Sequence, residues 1–227
     1  MKISDFEYIK KFPFQISDTN TNEVRLRELD WLMPMVGSWG HNLEFGVFNG
    51  ETINYMAKLR PDLKFTGFDS FEGLPEDMDT GEKIVSATAF DRGGEPPEVE
   101  DNVELVKGWF DDTIPAWKES ATNANQPFAG ETISFLNLDA DIYSSTKIVL
   151  NCINYMIVPG TIIRFDELSC WRYVFNEASP RNVQRVFYTN WKAHEWKAMN
   201  EWLENYERKV IPICRNWHQS ATVMVTQ

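Results

Sequence analysis

The stretch Leu43–Thr52, LEFGVFNGET, decides how the chain is read. Leu43 to Val47 is a short apolar strand closed by Gly46 and Gly50. Glu51 to Leu59 is then helical, with Ile53, Met56 and Ala57 at the spacing of one inward face. Glycines let a backbone turn tightly and approach a ligand. The helix that follows offers unpaired N–H groups to a carboxylate. Lys64 to Phe68 is the next strand and stops at Asp69, about 20 residues after Gly50, a spacing at which a carboxylate reaches ribose hydroxyls. Phe48 stands where a dinucleotide-binding turn has its middle glycine, so a ligand without phosphates fits better than a pyrophosphate. Taken without Asp69, the glycines are equally well read as a tight strand-to-helix turn with no ligand.

Working outward, apolar runs alternate with helical patterns, the signature of a parallel sheet covered by helices. Asn22 to Val36 is a helix carrying Leu26, Leu29, Leu32 and Met33 on one face. Val103 to Val106 is a third strand before Gly108, and Asp111 to Ser120 a short helix. Ile133 to Leu138 is a fourth strand ending in Asp139 and Asp141. Ser145 to Ile157 is helical and is stopped by Pro159 and Gly160. Thr161 to Phe165 is a fifth strand ending at Asp166 and Glu167. A long helical region runs around Asn182 to Tyr206, and Lys209 to Cys214 with Ala221 to Thr226 form a closing pair of strands. Between the second and third strands, Ser70 to Asp101 is rich in Gly, Pro and acids. It is expected to be an excursion with a short helix inside, mobile without ligand and ordered over it. No repeat or linker interrupts the 227 residues, so a single domain is expected.

The balance of 22 Lys and Arg against 34 Asp and Glu leaves a net charge of −12. Without a basic run to displace counterions, a nucleic-acid partner is not expected, nor is an anionic membrane surface. The amino-terminal residues lack the apolar run of a signal peptide and nothing approaches a membrane span, so a cytoplasmic location is expected. Cys152, Cys170 and Cys214 show no zinc-ligand spacing and read as buried free thiols. Nine Trp and fifteen Phe suit a heavy core or an aromatic-lined pocket. His194 lies in the Trp-rich stretch Trp191–Trp202 and could reach the pocket; a satisfied core or surface histidine is the plainer reading, as for His41 and His218. In open α/β sheets ligands bind at the carboxyl ends of strands. Two neighbouring strand ends carrying Asp139, Asp141, Asp166 and Glu167 would converge there, and a divalent cation would remove their mutual repulsion. The alternative is that these acids simply face water.

The stretches LEFGVFNGET (Leu43–Thr52), GFDSFEGLP (Gly67–Pro75), LVKGWFDDTIP (Leu105–Pro115), LNLDADIYSST (Leu136–Thr146) and GTIIRFDEL (Gly160–Leu168) together resemble the macrocin O-methyltransferase (TylF-like) family, and more distantly catechol O-methyltransferase. The resemblance implies a Rossmann-like methyltransferase fold, with a mostly parallel sheet, helices on both faces and an antiparallel closing strand. It implies that Glu44, Gly46, Phe48 and Gly50 line the methionine end of S-adenosylmethionine and that Thr52 can bond its carboxylate. A Cβ at Gly46 would crowd that approach. Asp69 would hold the ribose diol with Ser70 and Phe71 beside it, and Gly108, Trp109, Phe110 and Asp111 would border the adenine. Asp111 is equally well read as a helix N-terminal acid favoured by the dipole. Carried over, the metal ligands are Asp139, Asp166 and Glu167, with Mg²⁺ the implied ion. Glu167 departs from the family's more usual aspartate. The catalytic residues would be Asp139, through the metal, and Asp141 as general base. Ile142 stands where catechol O-methyltransferase has a lysine, and Asp141 could instead be a backbone acceptor.

The expected activity is methyl transfer to a hydroxyl of a small-molecule acceptor, such as a sugar or natural product, with self-association left open. The excursion and the Trp191–Trp202 helix are the expected walls around the acceptor. Two rivals are a non-catalytic S-adenosylmethionine-binding protein and a metal-independent methyltransferase, since fold alone does not decide function.

Overall fold

In the computed structural model the described residues are 14–16, 21–121, 132–170, 188–216 and 219–227. Among the described residues, ten strands are interspersed with five α-helices. In chain order these are β1 (Phe14–Ile16), α1 (Thr21–Leu32), β2 (His41–Phe45), α2 (Glu51–Leu59), β3 (Phe65–Asp69), β4 (Met78–Asp79), β5 (Ile84–Val85) and β6 (Val103–Lys107). There follow α3 (Phe110–Ala121), β7 (Ile133–Leu138), α4 (Tyr143–Cys152), β8 (Ile162–Phe165), α5 (Glu195–Asn205), β9 (Val210–Asn216) and β10 (Ala221–Val225). Eight strands form one sheet in the order β1-β9-β10-β8-β7-β2-β3-β6. β10 runs antiparallel to both of its neighbours, and the other recorded pairings in this sheet are parallel. The antiparallel strand expected at the end of the chain is thus present, inserted between β8 and β9.

β7 and β8 are buried at every position, as parallel strands covered on both faces must be. On one face Phe45, Phe68, Leu136, Leu138 and Phe165 pack with α4 and α5. On the other, Phe65, Phe135 and Ile162 pack with Leu29 and Leu32 of α1 and Ile53, Met56 and Ala57 of α2. The inward set expected for α2 is the one observed. The Trp-rich helix buries Trp196, Met199 and Trp202 in this core.

Several boundaries differ for local reasons. The first helix ends at Leu32 and tightens into a 3₁₀ turn, Met33–Met35, because Pro34 lacks the N–H that an α-helix would use. The helix expected over 182–206 is, in its described part, a 3₁₀ turn Trp191–Ala193 followed by α5; His194, at φ −110 and ψ −123, separates the two. Residues 182–187 of that expectation lie outside the described residues. The helix expected over 145–157 is α4 plus a 3₁₀ turn, Asn154–Met156. The excursion contains a two-stranded ribbon, β4 with β5, and its only helical piece among the described residues is a 3₁₀ turn, Ala87–Phe90. β1, three residues long, carries no periodicity for a sequence reading to detect. Among the described residues no helix is long and apolar enough to cross a membrane, and none of the three cysteines forms a disulfide.

Candidate active site at the carboxyl ends of the strands

The register of the sheet builds the site. Phe45 is paired with Phe68 on one side and Leu138 on the other, and Leu138 with Phe165. The residues that follow these four are Gly46, Asp69, Asp139 and Asp166, so the motifs end in one row. Each continues the ladder by one bond: Gly46 N to Phe68 O (3.0 Å), Asp139 N to Phe45 O (2.9 Å), Asp166 N to Leu138 O (2.8 Å) and Gly108 N to Asp69 O (2.9 Å). The sheet order reverses between β2 and β7, and ligands bind at such switch points. A cavity of about 620 Å³ opens there, within the usual size of small-molecule sites.

Gly46, Phe48, Thr52, Asp69, Ser70, Gly108, Trp109, Phe110, Asp111, Asp139, Asp141 and Glu167 all face this cavity. Glu44, Gly50, Phe71 and Asp166 are not in its lining. Glu44 is buried below the floor, where its Oε1 accepts from Asn137 Nδ2 at 2.7 Å. Two residues before Gly46, Glu44 turns to Asn137 rather than to the cavity, away from the methionine-end position expected for it. Phe71 is fully buried in the core, and Gly50 caps α2 in the left-handed region at φ +76. Gly46 is required for a different reason from the one expected: a Cβ there would lie 1.8 Å from the backbone oxygen of Asp139. The crowding comes from the neighbouring strand end rather than from a ligand.

Asp69 organises the glycine turn. Its Oδ2 accepts from the N–H groups of Val47 (2.7 Å) and Phe48 (2.8 Å), and its Oδ1 from Phe71 N (2.7 Å). Of roughly four acceptor positions on a carboxylate, three are used, leaving about one for a ligand. Phe48 adopts φ +46 and meets Phe90 of the excursion edge-on, 5.5 Å between ring centres. The excursion thus forms part of the wall, with Gly73, Leu74, Pro75 and Phe90. The Trp191–Trp202 helix does not: its indoles go to the core, and His194 bonds Asp79 O through Nε2 at 2.8 Å.

Asp139, Asp166 and Glu167 present carboxylate oxygens within 4.8 Å of one another. Asp141 lies beside them in a tight turn, with φ +58 and Ile142 N bonded to Ala140 O at 2.6 Å. Such left-handed non-glycine residues are strained and concentrate at functional sites. Burial, reinforced by neighbouring acids, pushes the Glu167 and Asp141 carboxyls well above the ordinary range. Burial likewise pushes Asp139 up to about 6, outweighing the guanidinium beside it. Against its burial, the guanidiniums of Arg25 and Arg164 hold Asp166 below the usual range.

Sequence reading missed the residues around this cluster. Arg25 of α1 bonds Asp139 Oδ2, and its Nε is 3.2 Å from Asp166 Oδ1. Gln219 Nε2 donates to Glu167 Oε1 at 2.8 Å, and Glu195 accepts from Glu167 N at 2.9 Å. Among the described residues, Glu167 Oε2 and Glu195 Oε1 are buried without a hydrogen-bond partner. Three convergent hard oxygens and an orphaned buried carboxylate oxygen fit a divalent cation, with Arg25 standing on two of the three acids. An arginine one turn from the apolar face of a helix was the only sequence signal for Arg25.

A family model described as "Methyltransferase domain" matches residues 43–168. A curated relative, O-methyltransferase imqG of Aspergillus flavus, is 23% identical over 156 residues, 68% of this chain and 58% of that relative. The chain therefore spans under two thirds of the relative's length. Among solved structures, the calicheamicin methyltransferase CalS11 superposes with a TM-score of 0.63 at 22% identity, covering 91% of this chain and 80% of that one. The O-methyltransferase NovP superposes with a TM-score of 0.55 at 18% identity, covering 98% and 95%. At these identities the likeness is one of fold.

Proposed function

The chain belongs to the methyltransferase-domain family, and from that premise we propose that it transfers the methyl group of S-adenosylmethionine to a hydroxyl of a small molecule, aided by Mg²⁺. The observation that carries the reading is the row of strand ends: a glycine turn and Asp69 on one side of the switch point, and Asp139, Asp141 and Glu167 on the other, around one cavity. Relatives named as O-methyltransferases, one of them a TDP-rhamnose 3'-O-methyltransferase, support an oxygen acceptor on a sugar or similar molecule.

The methionine end would lie against the N-terminus of α2, where Gly50 supplies no side-chain cap and Thr52 and the first-turn N–H groups attract a carboxylate. Asp69 would offer its remaining acceptor position to the ribose. Trp109 and Phe110 would flank the adenine, with Asp111 near its amino group. Asp139, Asp166 and Glu167 would hold Mg²⁺, which would lower the pKa of a bound hydroxyl and stabilise the developing oxyanion. Asp141 would accept the hydroxyl proton as the oxygen bonds to the methyl carbon and the carbon–sulfur bond breaks, its electron pair staying on sulfur. In-line transfer depends on alignment, so the cavity walls supply rate by positioning. The 70–101 segment would cover the bound cofactor; protection from limited proteolysis by S-adenosylhomocysteine tests this, and equal cleavage with and without it would count against the cover.

A second reading, a metal-independent methyltransferase, is favoured by Arg25, whose charge already partly neutralises the acids. Calorimetry with S-adenosylhomocysteine, followed by an acceptor screen for its release with Mg²⁺ and with chelator, tests both. Binding with turnover only in Mg²⁺ is expected. Full turnover in chelator would select the second reading, and no binding would overturn the cofactor assignment.

A further inference from the structure

Two arginines meet Asp166, and they are held differently. Arg164 is fully buried and makes hydrogen bonds to Asp166 (2.5 Å), Asn137 (2.8 Å) and Glu28 (3.2 Å). Arg25 keeps a side chain 32% exposed and lines the cavity. Its Nε lies 3.2 Å from Asp166 but outside hydrogen-bond alignment, and its Nη2 is shared between Asp139 Oδ2 and Thr52 Oγ1, the latter at 3.4 Å. One guanidinium therefore touches both the acids that fit a metal and the helix end that fits a carboxylate.

We propose that Arg25 is a transferable cation: it neutralises Asp139 and Asp166 before the cofactor binds, then turns to the carboxylate of S-adenosylmethionine at Thr52, so that cofactor binding opens the acid cluster to a divalent ion. The proposal rests on the cofactor and metal assignments above. It follows from charge. A guanidinium and a divalent cation cannot share the same carboxylate oxygens without strong repulsion. Planar, bidentate recognition of a carboxylate is what arginine offers and lysine does not. Because Thr52 is already beside the guanidinium, a change of side-chain rotamer is enough to move it, and the partly exposed side chain leaves room for one. Arg164, locked by three partners, cannot play this part. It remains behind to hold Asp166 in place in either state.

The consequence is reciprocal coupling between two ligands. Mn²⁺ binding, followed by the spin resonance of the free ion, is measured with and without S-adenosylhomocysteine. In the unaltered protein S-adenosylhomocysteine should tighten Mn²⁺ binding roughly 5- to 150-fold, the usual range of such coupling. Arg25→Met should bind Mn²⁺ more tightly than the unaltered protein when S-adenosylhomocysteine is absent, bind S-adenosylhomocysteine more weakly, and lose the coupling. Arg25→Lys, which keeps a cation without the fork, should retain a reduced coupling, and it serves if the methionine variant does not fold. Independent binding of the two ligands to the unaltered protein would overturn the proposal, as would full coupling in Arg25→Met. Failure of S-adenosylhomocysteine to bind the unaltered protein would instead overturn the cofactor reading itself. Failure of Mn²⁺ to bind any of these proteins would overturn the metal assignment and this proposal with it.

Discussion

Two charge clusters lie in contact, one beneath the cavity and one facing it, and they are built on opposite terms. Beneath, Glu28 receives Arg164, Ser220, Thr222 and Asn216, while Asn137 links Arg164 to Glu44. Among the described residues the polar side-chain atoms of that network have partners except Glu44 Oε2, and Glu28 and Arg164 are 1% and 0% exposed. Facing the cavity, Asp139, Asp141 and Glu167, with Glu195 buried behind Glu167, outnumber the cations beside them, and two carboxylate oxygens have no hydrogen-bond partner among the described residues. A closed network makes one arrangement rigid. An uncompensated one raises carboxyl pKa values and leaves room for a ligand cation. The comparison separates residues that hold the sheet ends in place from residues that stand ready for chemistry.

Breaking the closed side should have the largest effect. Arg164→Met leaves Glu28 buried without its cation and Asp166 with Arg25 alone, and a loss of about 3–5 kcal/mol of unfolding free energy is expected in urea titration. A loss under about 1 kcal/mol would mean that the network is not the structural base it is argued to be. On the open side the expectation inverts. Asp139→Asn removes one of several repelling carboxylates, so stability should hold or rise. Turnover should nevertheless fall on the order of a hundredfold, with S-adenosylmethionine affinity kept or raised because Arg25 loses a competing partner. Equal falls in stability and turnover would place Asp139 with the structural set.

Asp69 sharpens the contrast because it belongs to both sides. Asp69→Ala removes the acceptor of three backbone N–H groups and the acceptor position proposed for the ribose. S-adenosylhomocysteine affinity should drop about tenfold or more, the worth of a charged hydrogen bond. An unchanged dissociation constant in a folded variant would remove Asp69 from the site.

The smallest effect is expected at Glu44, which touches both clusters without facing the cavity. Its burial raises its carboxyl well above 4.5, so the folded protein keeps a proton that the unfolded chain releases. Fewer protons on the unfolded chain mean that stability falls as pH rises above about 4.5. Glu44→Gln keeps an acceptor for Asn137 and should flatten that fall. At neutral pH it should change stability by less than about 1 kcal/mol in the destabilising direction, or raise it, and leave cofactor affinity intact. A steeper loss at neutral pH would show that Glu44 is ionised and stabilised by Arg164.

What the sequence determined by itself is local and periodic. Apolar runs of strand length, the glycine turn after β2 and the acids that end β7 and β8 are all legible, because side-chain alternation and turn chemistry act over a few residues. Strand order converts those local endings into one row, so most of the cavity's walls could be named in advance. The tertiary structure alone decided how the charges are compensated. Arg25 and Asp139 are 114 residues apart, and Arg164 and Glu28 136 apart. No short-range pattern marks either pair. The same holds for Glu195 and Gln219, each brought to Glu167 from elements whose periodicity speaks only of core or strand. Gly46 makes the point within one motif: its necessity was visible as a glycine before a helix, but the atom that enforces it, the backbone oxygen of Asp139, arrives from a strand 93 residues further on, set by register.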